Sequence, residues 1–198
     1  MDNGIADFYK TVTKRGFART NLFRIKSISR KGATSSSIYE PTDGSDNLFL
    51  YTQDGTIPSR NISTTTVDFK SFKYTVPMVA SYPESSNWAV TFYCDRDYKL
   101  RNVFEKWSVD TFDEHTSLSN IPNWWDCNIE LDLLVNSGPL FKGEQSLTAP
   151  YPIRKYMLMG AFLQSVGAMT YETKSGGDIV KQTAIIGFQY IISEDILT

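Results

Sequence analysis

Apolar and polar residues alternate one by one over several stretches of this chain, and that period of two commits it to sheet. The clearest run is Cys127 to Val135, where Cys127, Ile129 and Leu131 interleave with Asn128, Glu130 and Asp132. A strand there shows one apolar face and one charged face. Leu22 to Ile28 sets Phe23 and Ile25 against Arg24 and Lys26, and Trp88 to Cys94 aligns Trp88, Val90, Phe92 and Cys94. Val67 to Val76 alternates too, with a phase slip at Ser71–Phe72 that predicts a β-bulge. Ile153 to Gly160 and Gly160 to Gly167 are apolar stretches meeting at a glycine. A closing hairpin is expected from Met169 to Lys174, through a turn containing Gly176 and Gly177, into a long strand Ile179 to Ile192.

Two segments switch to a helical period. Ile5, Phe8, Tyr9 and Val12 fall on one stripe of an N-terminal helix ended by Gly16. Leu100, Val103, Phe104 and Trp107 repeat the stripe in mid-chain, where Asp95 or Asp97 is placed to cap the start. Residues 29 to 60 read as a long polar loop whose apolar knot, Leu48 to Tyr51, suggests a small hairpin, and Val109 to Asp126 is irregular. Loops of that length inside a domain tend to be functional or disordered, and the knot, which gives the loop something to dock, favours function. The chain of 198 residues has 27 aromatic residues, 39 Ser and Thr, and only 21% charged residues, a balance that suits sheet. The expectation is mainly β: one domain over 1–198, an antiparallel β-sandwich or partial barrel with two helices and a loop insertion at about 29–60.

Catalytic chemistry finds little footing. His115 is the only histidine, and it stands in an irregular segment. Cys94 and Cys127 make neither a disulfide framework nor, with one His, a zinc ligand set, so a reducing compartment is expected. No glycine-rich phosphate loop follows a strand. Asp95 with Asp97, and Asp113 with Glu114, are sequence neighbours rather than carboxylates converging from separate elements. Neither an enzyme nor a cofactor or metal site is expected. No apolar run reaches the roughly 18 residues of a membrane span, and the polar start is not expected to be a secretory signal.

Charge is divided along the chain. Residues 1–31 carry +6 and the remainder −8, for a total of −2. Regions of opposite sign let copies of one molecule attract head to tail. The basic segment with Phe8, Tyr9, Phe17 and Phe23 also raises nucleic-acid binding, but those aromatics fit apolar faces of the helix and first strand better than stacking platforms.

Three segments, in order, carry a resemblance. Gly16 to Phe23 looks like a Phe-Ala-Arg-x-Asn-Leu-Phe approach to a first strand, with Thr20 where Pro is common. Trp88 to Phe92 followed by Asp95 to Trp107 looks like a strand-then-helix unit with Arg101, Phe104 and Trp107 on the helix. Gly160 to Tyr190 looks like closing strands around a glycine turn. Together they resemble the tail tube proteins of contractile-tailed bacteriophages. That resemblance implies a structural virion protein assembled in the host cytoplasm, whose subunits join sheet edges into hexameric rings and stack into a hollow tube for genome delivery. It implies as partners other copies of the chain, the tail sheath protein, baseplate or tube-initiator and terminator proteins, the tape measure protein, and DNA passing through the lumen.

Candidate residues follow. Inter-ring contact is expected from Asp43, Asp46, Leu48, Phe49 and Tyr51 in the long loop, with Arg19 and the N-terminal helix as a second contact. Deleting Thr42 to Gln53 should then leave a folded protein that does not polymerise. Asn128, Glu130 and Asp132 are expected to line the lumen, and reversing Glu130 and Asp132 to Lys should spare assembly but slow ejection. Three rival readings remain: a tube initiator or baseplate ring protein, a monomeric β-barrel binding module with Trp124–Trp125 at a pocket lip, and a hydrolase that would require His115.

Overall fold

A computed structural model describes residues 4–15, 20–30, 37–39, 51–116, 118–119, 127–135, 150–171, 173 and 177–195. In chain order the elements begin with α1 (Gly4–Arg15), β1 (Phe23–Arg30), β2 (Ser37–Tyr39), β3 (Thr52–Gly55), β4 (Asn61–Phe69) and β5 (Phe72–Ser81). A short 3-10 turn, Pro83–Ser86, leads into β6 (Trp88–Tyr93), α2 (Lys99–Thr111), β7 (Phe112–Asp113) and β8 (Leu118–Ser119). The last four are β9 (Cys127–Val135), β10 (Tyr151–Val166), β11 (Lys181–Gly187) and β12 (Tyr190–Asp195).

β10 joins two sheets. Its first part pairs with β9 on one edge and β12 on the other, and β9 pairs in turn with β1 and β1 with β2. Its last part pairs with β11, followed by β6 and β3. The change occurs at Gly160, whose φ of +64° is open to glycine at little cost, and the register slips between Met159 and Ala161. Every pairing is antiparallel, as expected for a mainly β fold with two helices.

The alternation in the sequence decides the core. Ile25, Ile129, Leu131 and Leu158 from the first sheet meet Trp88, Val90, Phe92, Ala184 and Ile186 from the second. Each fully buried large apolar side chain contributes on the order of 1.5–3 kcal/mol. α2 adds Leu100, Phe104 and Trp107 from its apolar stripe, with the Phe104 ring 5.1 Å from that of Phe92. Asp95 starts this helix: its carboxylate accepts hydrogen bonds from the backbone N–H groups of Lys99 (2.9 Å) and Leu100 (3.1 Å). Of the helix residues that carry the family resemblance, Phe104 and Trp107 are core, and Arg101 donates to the Gly167 carbonyl at 2.8 Å.

Four expectations need correction. The phase slip at Ser71–Phe72 is not a bulge but a reversal of the chain: Lys70, at φ +56°, and Ser71 form a two-residue turn with Phe69 and Phe72 opposite one another. The long final strand is two strands in different sheets. It breaks because Phe188 turns into the core while its N–H donates to Ser85 O and that of Gln189 to Met159 O. Met169 to Tyr171, expected as the first arm of a closing hairpin, lie outside any strand. The 29–60 stretch also contributes β2 and β3 to the sheets, so it is not wholly loop.

Candidate functional site

The 21-residue hairpin Asn61–Ser81 stands apart from this core. All residues of β4 and β5 are exposed. Its cross-strand pairs alternate in character: Thr65–Val76, Val67–Tyr74 and Phe69–Phe72 share one face, and Thr66–Thr75 and Asp68–Lys73 the other. The hairpin is therefore an amphipathic arm with its apolar face in solvent, Phe69 59% and Phe72 66% exposed. A lone two-stranded hairpin is marginal in water and needs a surface to lie on. Beside its stem, Ser59 N–H and Oγ donate to the Glu84 carboxylate at 3.0 Å, and a hydrogen bond from the Glu84 backbone, followed by those from Ser59, holds the Glu84 carboxyl below its ordinary range.

A second surface is the polar face of the first sheet. Arg24 on β1 grips Asp132 on β9 through Nε (2.9 Å) and Nη2 (2.8 Å) to the same oxygen, Oδ2, and Asp132 is 2% exposed. Glu130 lies between Lys26 (3.0 Å) and Lys155 of β10 (2.6 Å). Burial pushes the Glu130 carboxyl up, but hydrogen bonds from Lys155 and Lys26 outweigh it and hold the group below its ordinary range. The bond to Glu130 holds the Lys155 ammonium above its own ordinary value.

A third surface is apolar. The stripe of α1 exposes Ile5, Phe8 and Tyr9. A cavity of about 300 Å³ opens between the two sheets, lined among others by Leu22, Phe23, Ile57, Trp88 and Leu133, with Trp88 Nε1 donating to Thr56 O at 2.7 Å.

Of the expected inter-ring residues, Arg19, Asp43, Asp46, Leu48 and Phe49 lie outside the described residues, as do Trp124 and Trp125; Tyr51 is exposed just before β3. Asn128, Glu130 and Asp132 do share one face of β9, opposite the buried Cys127, Ile129 and Leu131. Their pairing changes what a reversal would do, since Asp132→Lys would set two cations together at a buried position. His115 sits exposed in the turn after β7. Cys94 Sγ lies 3.4 Å from Met169 Sδ, and burial, reinforced by Asp95, pushes its thiol up, away from the thiolate a nucleophile needs. Among the described residues no cluster of His, Cys, Asp and Glu is arranged to hold a metal ion. The arm is what sequence reasoning missed. Its signal was present, because a slip that leaves aromatics two residues apart on either side of Lys70–Ser71 fits a turn as well as a bulge.

Comparisons agree with this architecture. Among solved structures, a chain of the anti-feeding prophage baseplate matches with a TM-score of 0.55 at 11% identity, covering 92% of this chain and 98% of that one. A chain of the sheath-tube complex of the extracellular contractile injection system PVC matches at 0.51 and 13% identity, covering 94% and 97%. A chain of the anti-feeding prophage tube-terminating cap matches at 0.50 and 11% identity, covering 90% and 91%. At such identities the likeness is one of fold. No curated protein matches in sequence. The family model for the phage tail tube protein matches residues 18–192, nearly the whole chain, and the chain belongs to that family of structural tail components.

Proposed function

We propose that this chain is the repeating subunit of a contractile-type tail tube: hexameric rings stacked into a hollow conduit through which a genome is delivered. The observation that carries the reading is the arm, an amphipathic hairpin whose apolar face has no cover among the described residues and suits a second copy. A heterologous contact, one surface on a different one, repeats without closing and so grows a stack. The sheet edges left by β12 and by the start of β1 suit lateral joining within a ring. The sheath, the baseplate or initiator, the terminator, the tape measure protein and the translocating DNA are the proposed partners, in a virion tail assembled in the host cytoplasm. Solved structures similar to it in fold include chains of a baseplate, a tube-terminating cap and a sheath-tube complex, which supports that setting. The polar face of β9 with Asn128, Glu130 and Asp132 is proposed to line the lumen. The arm, together with Arg19, Asp43, Asp46, Leu48, Phe49 and Tyr51, is proposed for the inter-ring contact. No catalytic step is proposed, and His115→Ala should leave assembly unchanged.

The test is electron microscopy and sizing chromatography of the concentrated protein beside two variants. One replaces Ser63–Val79 by Asn-Gly, joining Ile62 to Ala80, and the other is Phe69→Ser with Phe72→Ser. Tubes from the native chain and folded monomers or unstacked rings from both variants are expected. Normal tubes from both variants would overturn the role of the arm. A native chain that forms single rings and never stacks would favour a tube initiator.

A further inference from the structure

Four charged residues lie in one straight row across the first sheet. Arg24 on β1 is registered opposite Asp132 on β9, Asp132 opposite Lys155 on β10, and Lys155 opposite Glu194 on β12. Cross-strand partners share a face, so the row reads plus, minus, plus, minus from one side of the sheet to the other. It begins and ends at open edges. Among the described residues β12 pairs only with β10, and β2 covers β1 only at Ile28 and Ser29, leaving Phe23 to Ser27 without a second neighbour.

We infer that Glu194 of one copy pairs with Arg24 of the next, with β12 adding antiparallel to the open segment of β1, so that the row of alternating charge runs unbroken around the ring. This rests on the ring reading above and specifies its lateral joint. β1 runs parallel to β10 and β12 runs antiparallel to it, so a rotation that carries one sheet onto the next brings β12 antiparallel to β1. Setting Glu194 opposite Arg24 places Asp195 by Phe23 and Ile192 by Lys26. Beyond that point β2 already occupies the edge of β1, which limits slippage in that direction. The arginine has capacity for a second carboxylate: a guanidinium offers five N–H donors in a fork, and the contacts to Asp132 use Nε and Nη2.

The row also fixes polarity. Pairing β12 with a second β12, with each Glu194 brought into this row, would set Glu194 against Glu194, and pairing two β1 segments in the same way would set Arg24 against Arg24. Like charges directly opposite are unfavourable, so two-fold dimers in this register are disfavoured and the head-to-tail joint is left. The same alternation gives this level of the wall no net charge from its four members.

The joint is tested on the full chain. Glu194→Gln should raise the concentration needed for rings roughly two- to five-fold per joint, as loss of one cross-strand charge pair implies. Glu194→Lys should abolish rings while the monomer melts within a few degrees of the native chain. Raising salt should weaken native rings more than those of Glu194→Gln. Contact is read directly with Arg24→Lys, which retains the charge beside Asp132 and supplies an amine. A carbodiimide then joins that amine to a touching carboxylate as an amide, with water taken up by the reagent as its urea. Within one subunit positions 24 and 194 are three strand spacings apart, about 14 Å, so a 24–194 linked peptide arises only between subunits. That peptide from rings and not from monomers is the expected result. Rings that form normally with Glu194→Lys, together with rings of Arg24→Lys that yield no 24–194 link, would overturn the joint and leave the ring reading standing. A native chain that stays monomeric at every concentration would overturn both.

Discussion

The ring of Phe162 on β10 lies directly over the α-carbon of its registered partner on β11, Gly187. A Cβ at residue 187 would come within 2.7 Å of Cε1 of that ring and closer still to its tip. Glycine here is a matter of room, at the point where the last strand of the second sheet ends and Phe188 turns inward. Gly187→Ala should therefore destabilise the monomer by roughly 1–3 kcal/mol, the usual cost of overfilling a packed site. The melting temperature should fall about 2–4 °C per kcal/mol in a chain of this length. In Phe162→Leu, which removes the ring, the same change should cost measurably less, and equal costs in both backgrounds would refute the steric account.

Gln182 makes the opposite case. It lies 2% exposed on the interior strand β11, and neither its amide oxygen nor its amide nitrogen has a hydrogen-bond partner among the described residues. A buried polar group left unpaired costs about 1–3 kcal/mol. Gln182→Met, close in volume and apolar, should raise the midpoint of urea unfolding without changing its slope. A loss of stability would mean that the amide is satisfied in solution.

Asp95 links strand to helix, since it follows β6 and Cys94 and its carboxylate accepts from two N–H groups of the first turn of α2. Removing such a cap typically costs about 0.5–2 kcal/mol. Asp95→Ala should fall in the upper half of that range, because the N–H of the buried Leu100 would lose its acceptor away from solvent. Asp95→Asn, which keeps an acceptor, should retain most of the stability. Chemical denaturation of the three proteins, side by side, measures both.

The sheet and mid-chain helix were legible because their apolar periods serve burial on one side only. Cys127 to Asp132 reads the same in sequence and structure: Cys127, Ile129 and Leu131 are core, and the polar Asn128, Glu130 and Asp132 alternate with them. The arm was not legible by that logic, for its alternation serves a surface outside the subunit, and a two-residue turn at Lys70–Ser71 leaves the same mark as a bulge. The break of the last strand depends on Phe188 finding the core and Gly187 lying beneath Phe162, a long-range fit no local period records. The charged face of β9 was visible as a pattern, but its partners Arg24, Lys26 and Lys155 come from strands over a hundred and about twenty-five residues away, so pairing waited for the register. The expected contacts at Arg19 and Asp43 to Phe49 fall outside the described residues, and Tyr51 alone is seen, exposed.

The bridge of Glu130 to Lys26 and Lys155 has a pH signature whose sign is fixed. Burial raises the carboxyl, but the hydrogen bonds from Lys155 and Lys26 win, so its folded pKa lies below the unfolded one. A depressed carboxylate contributes stability that is present above its unfolded pKa, about 4.3, and is lost as pH falls through the lower folded value. Lys155, held above its ordinary value by Glu130, adds the mirror image: stability present below about 10.4 and lost as pH rises through the raised value. Glu130→Gln should thus be less stable than the native chain across the neutral range. The gap should close as the solution is acidified below the ordinary carboxylate range, with no closing between pH 6 and 8. Unfolding of both proteins in urea from pH 8 to pH 2 measures that gap, and one that stays constant down to pH 2 would assign the contribution of Glu130 to packing instead of charge.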